Sequence, residues 1–149
     1  NSYEVLPILV TQMAGACLGT VLANIMFDLD WFQVSEKART GGNLWVAEVI
    51  ATSGLLLIIF SLLRTNRLNQ IPYVVGIYIG GAYYFTSSTS FANPAVSIGR
   101  MLSNSFAGIR PSSVPMFIFM QLIGMVIGIS ITSFLFPKNR QKTVSLRDS

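Results

Sequence analysis

Apolar residues occur along this chain in four long runs that are separated by short polar segments. The runs extend over Val5 to Phe27, Leu44 to Leu63, Ile71 to about Phe85 and Val114 to Phe136. Crossing the hydrocarbon core of a bilayer as a helix takes roughly 20 apolar residues. The pattern therefore predicts four membrane-spanning helices, of which the third is the shortest.

A further apolar segment, "NPAVSIGRML" from Asn93 to Leu102, is too short to cross. Asn93 is a favourable N-cap and Pro94 a favourable first helical residue, so a helix is predicted to begin here and to cover roughly half the hydrocarbon core. Backbone outside a helix is tolerated at that depth when it is buried in protein or lines a cavity. The hydroxyl-rich "TSSTS" at residues 86–90 favours a watery cavity.

Such a re-entrant half-helix would present its free N–H groups and positive dipole end to the membrane middle, where they favour oxygen acceptors and repel cations. A proline kink in an ordinary spanning helix is the alternative interpretation of the same residues.

Composition agrees with a membrane setting. Apolar residues form 52% of the chain, charged residues 11%, and the mean hydropathy is +0.58, whereas a soluble domain carries roughly 25% charged residues. In this setting the formal net charge of +4 indicates orientation in the bilayer rather than nucleic-acid binding. The chain has no His, no pair of acids and no cluster of metal ligands, so we expect no enzyme, no bound metal and no cofactor. Cys17 is its single cysteine, so no internal disulfide is possible.

The basic residues test whether the short segment crosses. Arg64 and Arg67 follow the second run, and four more cations lie in the tail after the last run: Lys138, Arg140, Lys142 and Arg147. The positive-inside rule places both groups in the cytoplasm, which requires the short segment to enter and return. The C-terminus is then predicted to be cytoplasmic, in a plasma membrane or a bacterial inner membrane.

An internal repeat links the first and last runs. "QMAGACLG" (Gln12 to Gly19) and "QLIGMVIG" (Gln121 to Gly128) share the pattern Gln-x-x-Gly-x-x-x-Gly. The predicted organisation is the last span of a first repeat with an exterior loop (1–43), a second repeat (44–136) and a basic tail (137–149). The chain begins at Asn1 without Met, so we expect a fragment, a processed chain or a truncated form.

Three features together resemble the aquaporin, or major intrinsic protein, family: "SFANPAVSIGR", the glutamine–glycine repeat, and Glu48-x-x-x-Thr52 in the second span. The resemblance covers the later part of a family member, from its third span onward. It implies an all-α, inverted-repeat helical bundle, here with four spanning helices and one re-entrant half-helix. It also implies a homotetramer of passive pores for water and small neutral solutes such as glycerol, in which Asn93, Pro94 and Ala95 form the Asn-Pro-Ala motif.

Selectivity is where the chain departs from the family pattern. The resemblance places an Arg directly after the motif, and here that position is Val96. Arg100 lies one helical turn further along the same face, and two interpretations remain open: it replaces the missing filter donor, or it anchors the following loop through carbonyl groups. Ser90 and either Tyr83 or Tyr84 fall near the other filter positions. The alternative for the aromatic cluster Tyr83, Tyr84 and Phe85 is a belt at the membrane interface, which is the commoner role of such residues. Val96 predicts a less polar filter that favours glycerol beside water.

Polar residues within the spans have predicted structural roles. The resemblance implies that Glu48 accepts hydrogen bonds from backbone N–H groups of the loop before Asn93, with Thr52 as additional support. A proton relay is the alternative role for an acid within a span. Gln12 and Gln121 are interpreted as buried amides that satisfy loop backbone.

Three functional classes follow. A passive channel is favoured, but a pore of this kind needs two Asn-Pro-Ala segments, and this chain holds one. The expected partners are therefore membrane lipid and a missing first half of the channel. The alternatives are a non-conducting fragment or scaffold, and a coupled secondary transporter, which also uses broken helices.

Overall fold

The computed structural model describes residues 2–137, and their regular secondary structure is entirely helical. The α-helices are α1 (Ser2–Met26), α2 (Gly42–Arg64), α3 (Ile71–Phe85), α4 (Pro94–Gly99) and α5 (Val114–Leu135). Short 3-10 turns occur at Leu68–Gln70, Arg100–Leu102 and Pro111–Ser113. The all-α prediction is confirmed for this part of the chain. The predicted basic tail lies outside the described residues from position 138 onward.

Three of the helical segments are long and apolar enough to cross a membrane: Tyr3–Met26, Gly42–Arg64 and Pro111–Leu135. The sequence predicted four spans. The predicted span from Ile71 to about Phe85, which forms α3, is too short to be one of the three. It has 15 residues, about 22 Å of helix against a hydrocarbon core of about 30 Å. It ends at Phe85 because Thr86, the first residue of the hydroxyl-rich segment, takes an extended conformation.

Helices α2 and α5 form the closest pair in the bundle. A Cβ atom added at Gly124 would lie 2.7 Å from the Val49 carbonyl oxygen, and one added at Gly128 would lie 2.7 Å from the Ser53 carbonyl oxygen. Small residues allow helix backbones to approach this closely inside a membrane. The second copy of the glutamine–glycine repeat is therefore the packing seam between α2 and α5.

The pairing of α2 with α5 is parallel. At the far end of the pair, the Arg64 guanidinium donates a hydrogen bond to the Phe136 carbonyl oxygen. The ends of α2 and α5 consequently lie on the same side of the bundle, as a half-helix that enters and returns requires. That this side is the cytoplasmic one stays a prediction.

Helix α1 packs mainly on α4 and the turn that follows it. A Cβ added at Gly99 would lie 2.7 Å from the Ala16 carbonyl oxygen, and the buried Asn24 donates to the Leu102 carbonyl oxygen at 2.8 Å. By contrast, Gly15 and Gly19 have no atom of the described chain within 4 Å of an added Cβ. The first copy of the repeat thus offers a face that nothing in the described residues covers.

The apolar core lies where the irregular segments on either side of α4 meet α5. Phe91, Ile109, Val114 and Phe117 form a buried cluster. The Phe91 and Phe117 rings pack edge to face, with their centroids 5.3 Å apart. This cluster fixes the loop that leads into α4.

Candidate functional site

The site begins at the start of α4. Asn93 has extended backbone angles, and its side-chain oxygen accepts a hydrogen bond from the Ala95 backbone N–H at 2.8 Å. Pro94 occupies the first turn, where a missing N–H has no cost. The Asn93 carbonyl oxygen accepts from the Ser97 backbone at 3.0 Å. Because the cap uses the amide oxygen, the amide nitrogen of Asn93 points its donors elsewhere.

The loop before Asn93 has an unusual backbone. Thr89, Ser90 and Ala92 have φ angles of 64°, 46° and 49°, which lie in the left-handed region that non-glycine residues rarely adopt. Each such residue costs on the order of 1–3 kcal/mol and persists only when its surroundings hold it. The loop therefore depends on strong external contacts.

Glu48 of α2 supplies those contacts. One carboxylate oxygen accepts from the Ser88 hydroxyl at 2.6 Å and from the Phe91 N–H at 2.9 Å. The other accepts from the Ala92 N–H at 3.0 Å and from the Gln121 amide at 2.8 Å. A carboxylate has about four lone-pair sites, and Glu48, which is fully buried, has a donor at each of them. This geometry is that of a structural acceptor.

Gln121 extends the network to α4. Its amide nitrogen also donates to the Ser97 hydroxyl at 3.0 Å, so α2, α4 and α5 meet at one polar cluster. Thr52 lies one turn after Glu48 and is buried against Gly124, but among the described residues its hydroxyl has no hydrogen-bond partner. The structure does not bring Gln12 to this cluster, because its side chain is exposed on α1.

A cavity of about 760 Å³ lies between α1 and the α4 region. Three of the residues that the sequence singled out, Tyr83, Val96 and Arg100, line it together. Its opposite wall is a face of α1 made of small residues: Gly15, Ala16, Gly19, Thr20 and Ala23. The cavity therefore has one wall of small residues and one cationic, aromatic wall.

Ser90 and Tyr84 lie away from this cavity. Ser90 is buried, at 2% exposure, and the cavity lining does not include it. Tyr84 is 89% exposed on the outer face of α3. Of the two tyrosines that the sequence left open, Tyr83 is the one that faces the cavity.

Arg100 is held mainly by aromatic rings. Its guanidinium lies over the Phe91 ring at 4.3 Å and over the Tyr83 ring at 5.7 Å, measured to the centroids. Its side chain donates to the Thr89 hydroxyl at a long 3.5 Å. The carbonyl groups of the loop after α4, which one interpretation assigned to Arg100, are bound by another arginine.

That arginine is Arg39, a site residue that the sequence analysis missed. It is 3% exposed and donates to the carbonyl oxygens of Ser88, Phe106 and Gly108 at 2.9, 2.9 and 2.7 Å. Burial, followed by the charge of Arg100, lowers the pKa of Arg39 below its ordinary value. No local signal marks this residue, because an arginine in a connecting loop is usually solvated.

A smaller cavity of about 250 Å³ lies at the start of α4, on the side of α2 and α5. Its lining includes Asn93, Pro94, Thr52 and Gln121. Across both cavities, and elsewhere among residues 2–137, no group of His, Cys, Asp and Glu could hold a metal ion. The lining of the two cavities offers hydrogen-bond donors, aromatic rings and the Arg100 guanidinium.

Comparison with known proteins adds one relative. Over 131 residues the chain is 44% identical to Aquaglyceroporin AqpS of Rhizobium meliloti (strain 1021), a match that covers 88% of this chain and 56% of AqpS. The chain thus spans about half the length of the curated relative it matches. No protein-family model matches the chain, and no solved structure does either.

Proposed function

Because this chain belongs to the aquaporin, or major intrinsic protein, family, we propose that it forms part of a passive membrane channel for water and small neutral solutes such as glycerol. The family membership confirms the resemblance inferred from the motifs, and it points to a channel rather than to an enzyme. The observation that carries the proposal is the cavity that Tyr83, Val96 and Arg100 line together.

Asn93 is the proposed solute-orienting residue. Its oxygen is committed to the helix cap, which leaves the amide N–H groups to donate to the oxygen of a passing solute. Pro94 is exposed and Ala95 is buried at the helix start. In the proposed channel these two residues shape the contact with the other half of the pore.

Val96 and Arg100 are the proposed selectivity residues. Both lie on the cavity side of the α4 region, with Val96 nearer to Asn93 along the chain. An aliphatic side chain at the position after the motif gives a less polar constriction, and Arg100 supplies a donor one turn away. This combination favours glycerol beside water, with Tyr83 forming part of the wall.

The channel is proposed to be incomplete without a first half. Helix α1 contacts the rest of the chain mainly through α4 and the turn that follows it, while its small-residue face lines the cavity. A first repeat with its own Asn-Pro-Ala segment would close that side. The same proposal includes the homotetramer, a second repeat bounded by residues 44 and 136, a cytoplasmic C-terminus, and a plasma membrane or bacterial inner membrane as the location.

Two alternatives remain as competing hypotheses. A coupled transporter would need a titrating group on the solute path, and Glu48 instead has a hydrogen-bond donor at each lone-pair site. A non-conducting fragment or scaffold is favoured by the uncovered face at Gly15 and Gly19. The two alternatives predict different fluxes and can be separated by experiment.

The first test is the intact mass of every polypeptide that copurifies with this chain from its native membrane in mild detergent. The purified material is then reconstituted in vesicles, and osmotic shrinking and swelling are followed by light scattering. We expect a companion that carries a second Asn-Pro-Ala segment, and water and glycerol fluxes that rise linearly with the gradient. A flux that saturates and follows a proton gradient would support the transporter, and no flux above empty vesicles would support the scaffold.

A further inference from the structure

We infer that Arg39, in the loop between α1 and α2, is a positioning residue for solute selection. It holds the segments on both sides of α4 and thereby sets where Arg100 lies at the cavity. The inference rests on the proposed channel function, because it concerns the selectivity of the same cavity.

The hydrogen bonds of Arg39 tie three parts of the chain together. Its guanidinium binds the Ser88 carbonyl oxygen before α4 and the Phe106 and Gly108 carbonyl oxygens after it. Its own backbone N–H donates to the Ser113 hydroxyl at 3.2 Å, close to the start of α5. One side chain therefore fixes the spacing of two loops whose ends hold α4.

Ser88 connects Arg39 to the buried carboxylate. Its carbonyl oxygen accepts from Arg39 while its hydroxyl donates to Glu48 at 2.6 Å. A buried charge is stable only when it is paired or fully hydrogen-bonded. The negative charge of Glu48 attracts the Arg39 guanidinium and partly offsets the cost of burying it. Arg39 and Glu48 thus both bind Ser88 of the strained loop, one through its carbonyl oxygen and the other through its hydroxyl.

Phe91 connects Arg39 to Arg100. The Arg39 guanidinium lies 4.9 Å from the centroid of the Phe91 ring, and the Arg100 guanidinium lies 4.3 Å from it. Guanidinium groups stack on aromatic faces, an attraction that strengthens when the pair is desolvated. The ring itself is 2% exposed and is fixed by Phe117. Loss of the Arg39 guanidinium would remove one of the two cations that pack on this ring and so change the surroundings of Arg100.

The division of roles follows from exposure and charge. Arg100 lines the cavity and Arg39 does not. The two cations repel each other, so Arg39, which three carbonyl oxygens hold in place, disfavours positions of Arg100 that lie closer to it. Arg100 touches the solute path, and Arg39 determines where it does so.

The test uses the assembled channel that contains this chain, reconstituted in vesicles, with the ratio of water to glycerol permeability as the readout. The variants are Arg39→Met, Arg39→Lys and Arg100→Ala, together with the double variant Arg39→Met/Arg100→Ala. Arg110→Met is the matched control, because exposed Arg110 also binds a backbone carbonyl oxygen between the α1–α2 loop and the loop after α4, that of Glu36 at 3.2 Å, but it has no hydrogen bond to Ser88. Size-exclusion chromatography reports whether each variant assembles.

We expect Arg39→Met to lower the ratio by about tenfold, the factor that corresponds to one charge-assisted contact, and Arg100→Ala to lower it similarly by opening the cavity. In the Arg100→Ala background, Arg39→Met should have no further effect. Arg39→Lys should shift the ratio in the same direction by a smaller factor, since a compact ammonium cannot reach three carbonyl oxygens in a fixed plane. The control should keep the ratio of the unmodified channel.

Other results would overturn the inference without touching the proposed function. Equal ratios in the Arg39 variants and in the unmodified channel would remove any role of Arg39 in selection. Effects of Arg39→Met and Arg100→Ala that simply multiply would show that Arg39 does not act through Arg100. If Arg39→Met fails to assemble, Arg39→Lys decides by the same criteria. An unmodified channel that conducts neither solute would instead refute the channel proposal itself.

Discussion

Replacing Glu48 by Gln isolates the acceptor role of the carboxylate. The substitution keeps the shape of the side chain and removes one acceptor and the charge. Ser88 and Gln121 can adapt, because a hydroxyl can rotate and a side-chain amide can turn over so that each accepts from the new NH₂ group. The backbone N–H groups of Phe91 and Ala92 donate to different carboxylate oxygens, so in either orientation of the new amide one of them loses its acceptor.

The size of the stability loss follows from the single backbone N–H group that is left without an acceptor. A buried donor without a partner costs about 1–3 kcal/mol, and the loss of charge assistance in the remaining bonds adds roughly 1 kcal/mol. We expect Glu48→Gln to lower the free energy of unfolding by about 2–4 kcal/mol. The assay is denaturant unfolding of the purified chain in detergent micelles. Glu4→Gln, at an exposed acid in the first turn of α1, is the matched control and should change the value by about 0.5 kcal/mol or less.

Two outcomes would refute this reasoning. Equal stability of Glu48→Gln and the unmodified chain would mean that the carboxylate does not support the loop. Loss of proton-coupled solute flux in a variant that assembles normally would assign Glu48 to a proton relay.

The remaining predictions concern packing, selectivity and the motif. Gly124→Ala should destabilise the chain by about 1–3 kcal/mol because the added methyl meets backbone, whereas Gly15→Ala, its counterpart in the repeat, should be neutral in this chain when unfolding is measured in micelles. Val96→Arg should raise the ratio of water to glycerol permeability by narrowing and charging the constriction, as measured by light scattering. Asn93→Asp should keep the helix cap and the unfolding free energy while reducing water flux about tenfold through loss of the amide donor.

Each of these predictions has a contrary result. Equal effects of the two alanine substitutions would remove the distinction between the covered and uncovered copies of the repeat. An unchanged permeability ratio in Val96→Arg would place Val96 outside the constriction. Normal water flux in Asn93→Asp would show that the amide does not orient solute.

Local patterns were sufficient for the start of α4, whereas part of the polar network was predicted from the family resemblance. Asn93 and Pro94 mark the start of α4 because capping and the missing proline N–H act within one turn. Glu48 was predicted to accept from backbone N–H groups of the loop before Asn93, and the structure shows those bonds. Here the family resemblance supplied the pairing, since nothing in the spacing of these residues gives it.

Other residues needed the folded chain. Tyr83 and Tyr84 are neighbours on one helix and point about 100° apart, so only the packing of α3 decides which one faces the cavity. Ser90 was expected near the filter, but the left-handed backbone at Thr89 and Ser90 changes where its side chain goes. Arg39 is separated from Ser88 by 49 positions, a distance at which no periodicity carries information.

Hydropathy, caps and motifs lie in neighbouring residues, and from them alone the apolar helical segments, the start of α4 and the family resemblance could be recognised. The tertiary structure alone decided that Arg39, and not Arg100, binds the loop carbonyls, and that Arg100 faces a cavity. It also decided that one copy of the repeat, at Gly124 and Gly128, is covered while the other is open. These outcomes depend on which parts of the chain, far apart in sequence, come into contact. A loop carbonyl group or a glycine face is covered or left open only when the helices pack.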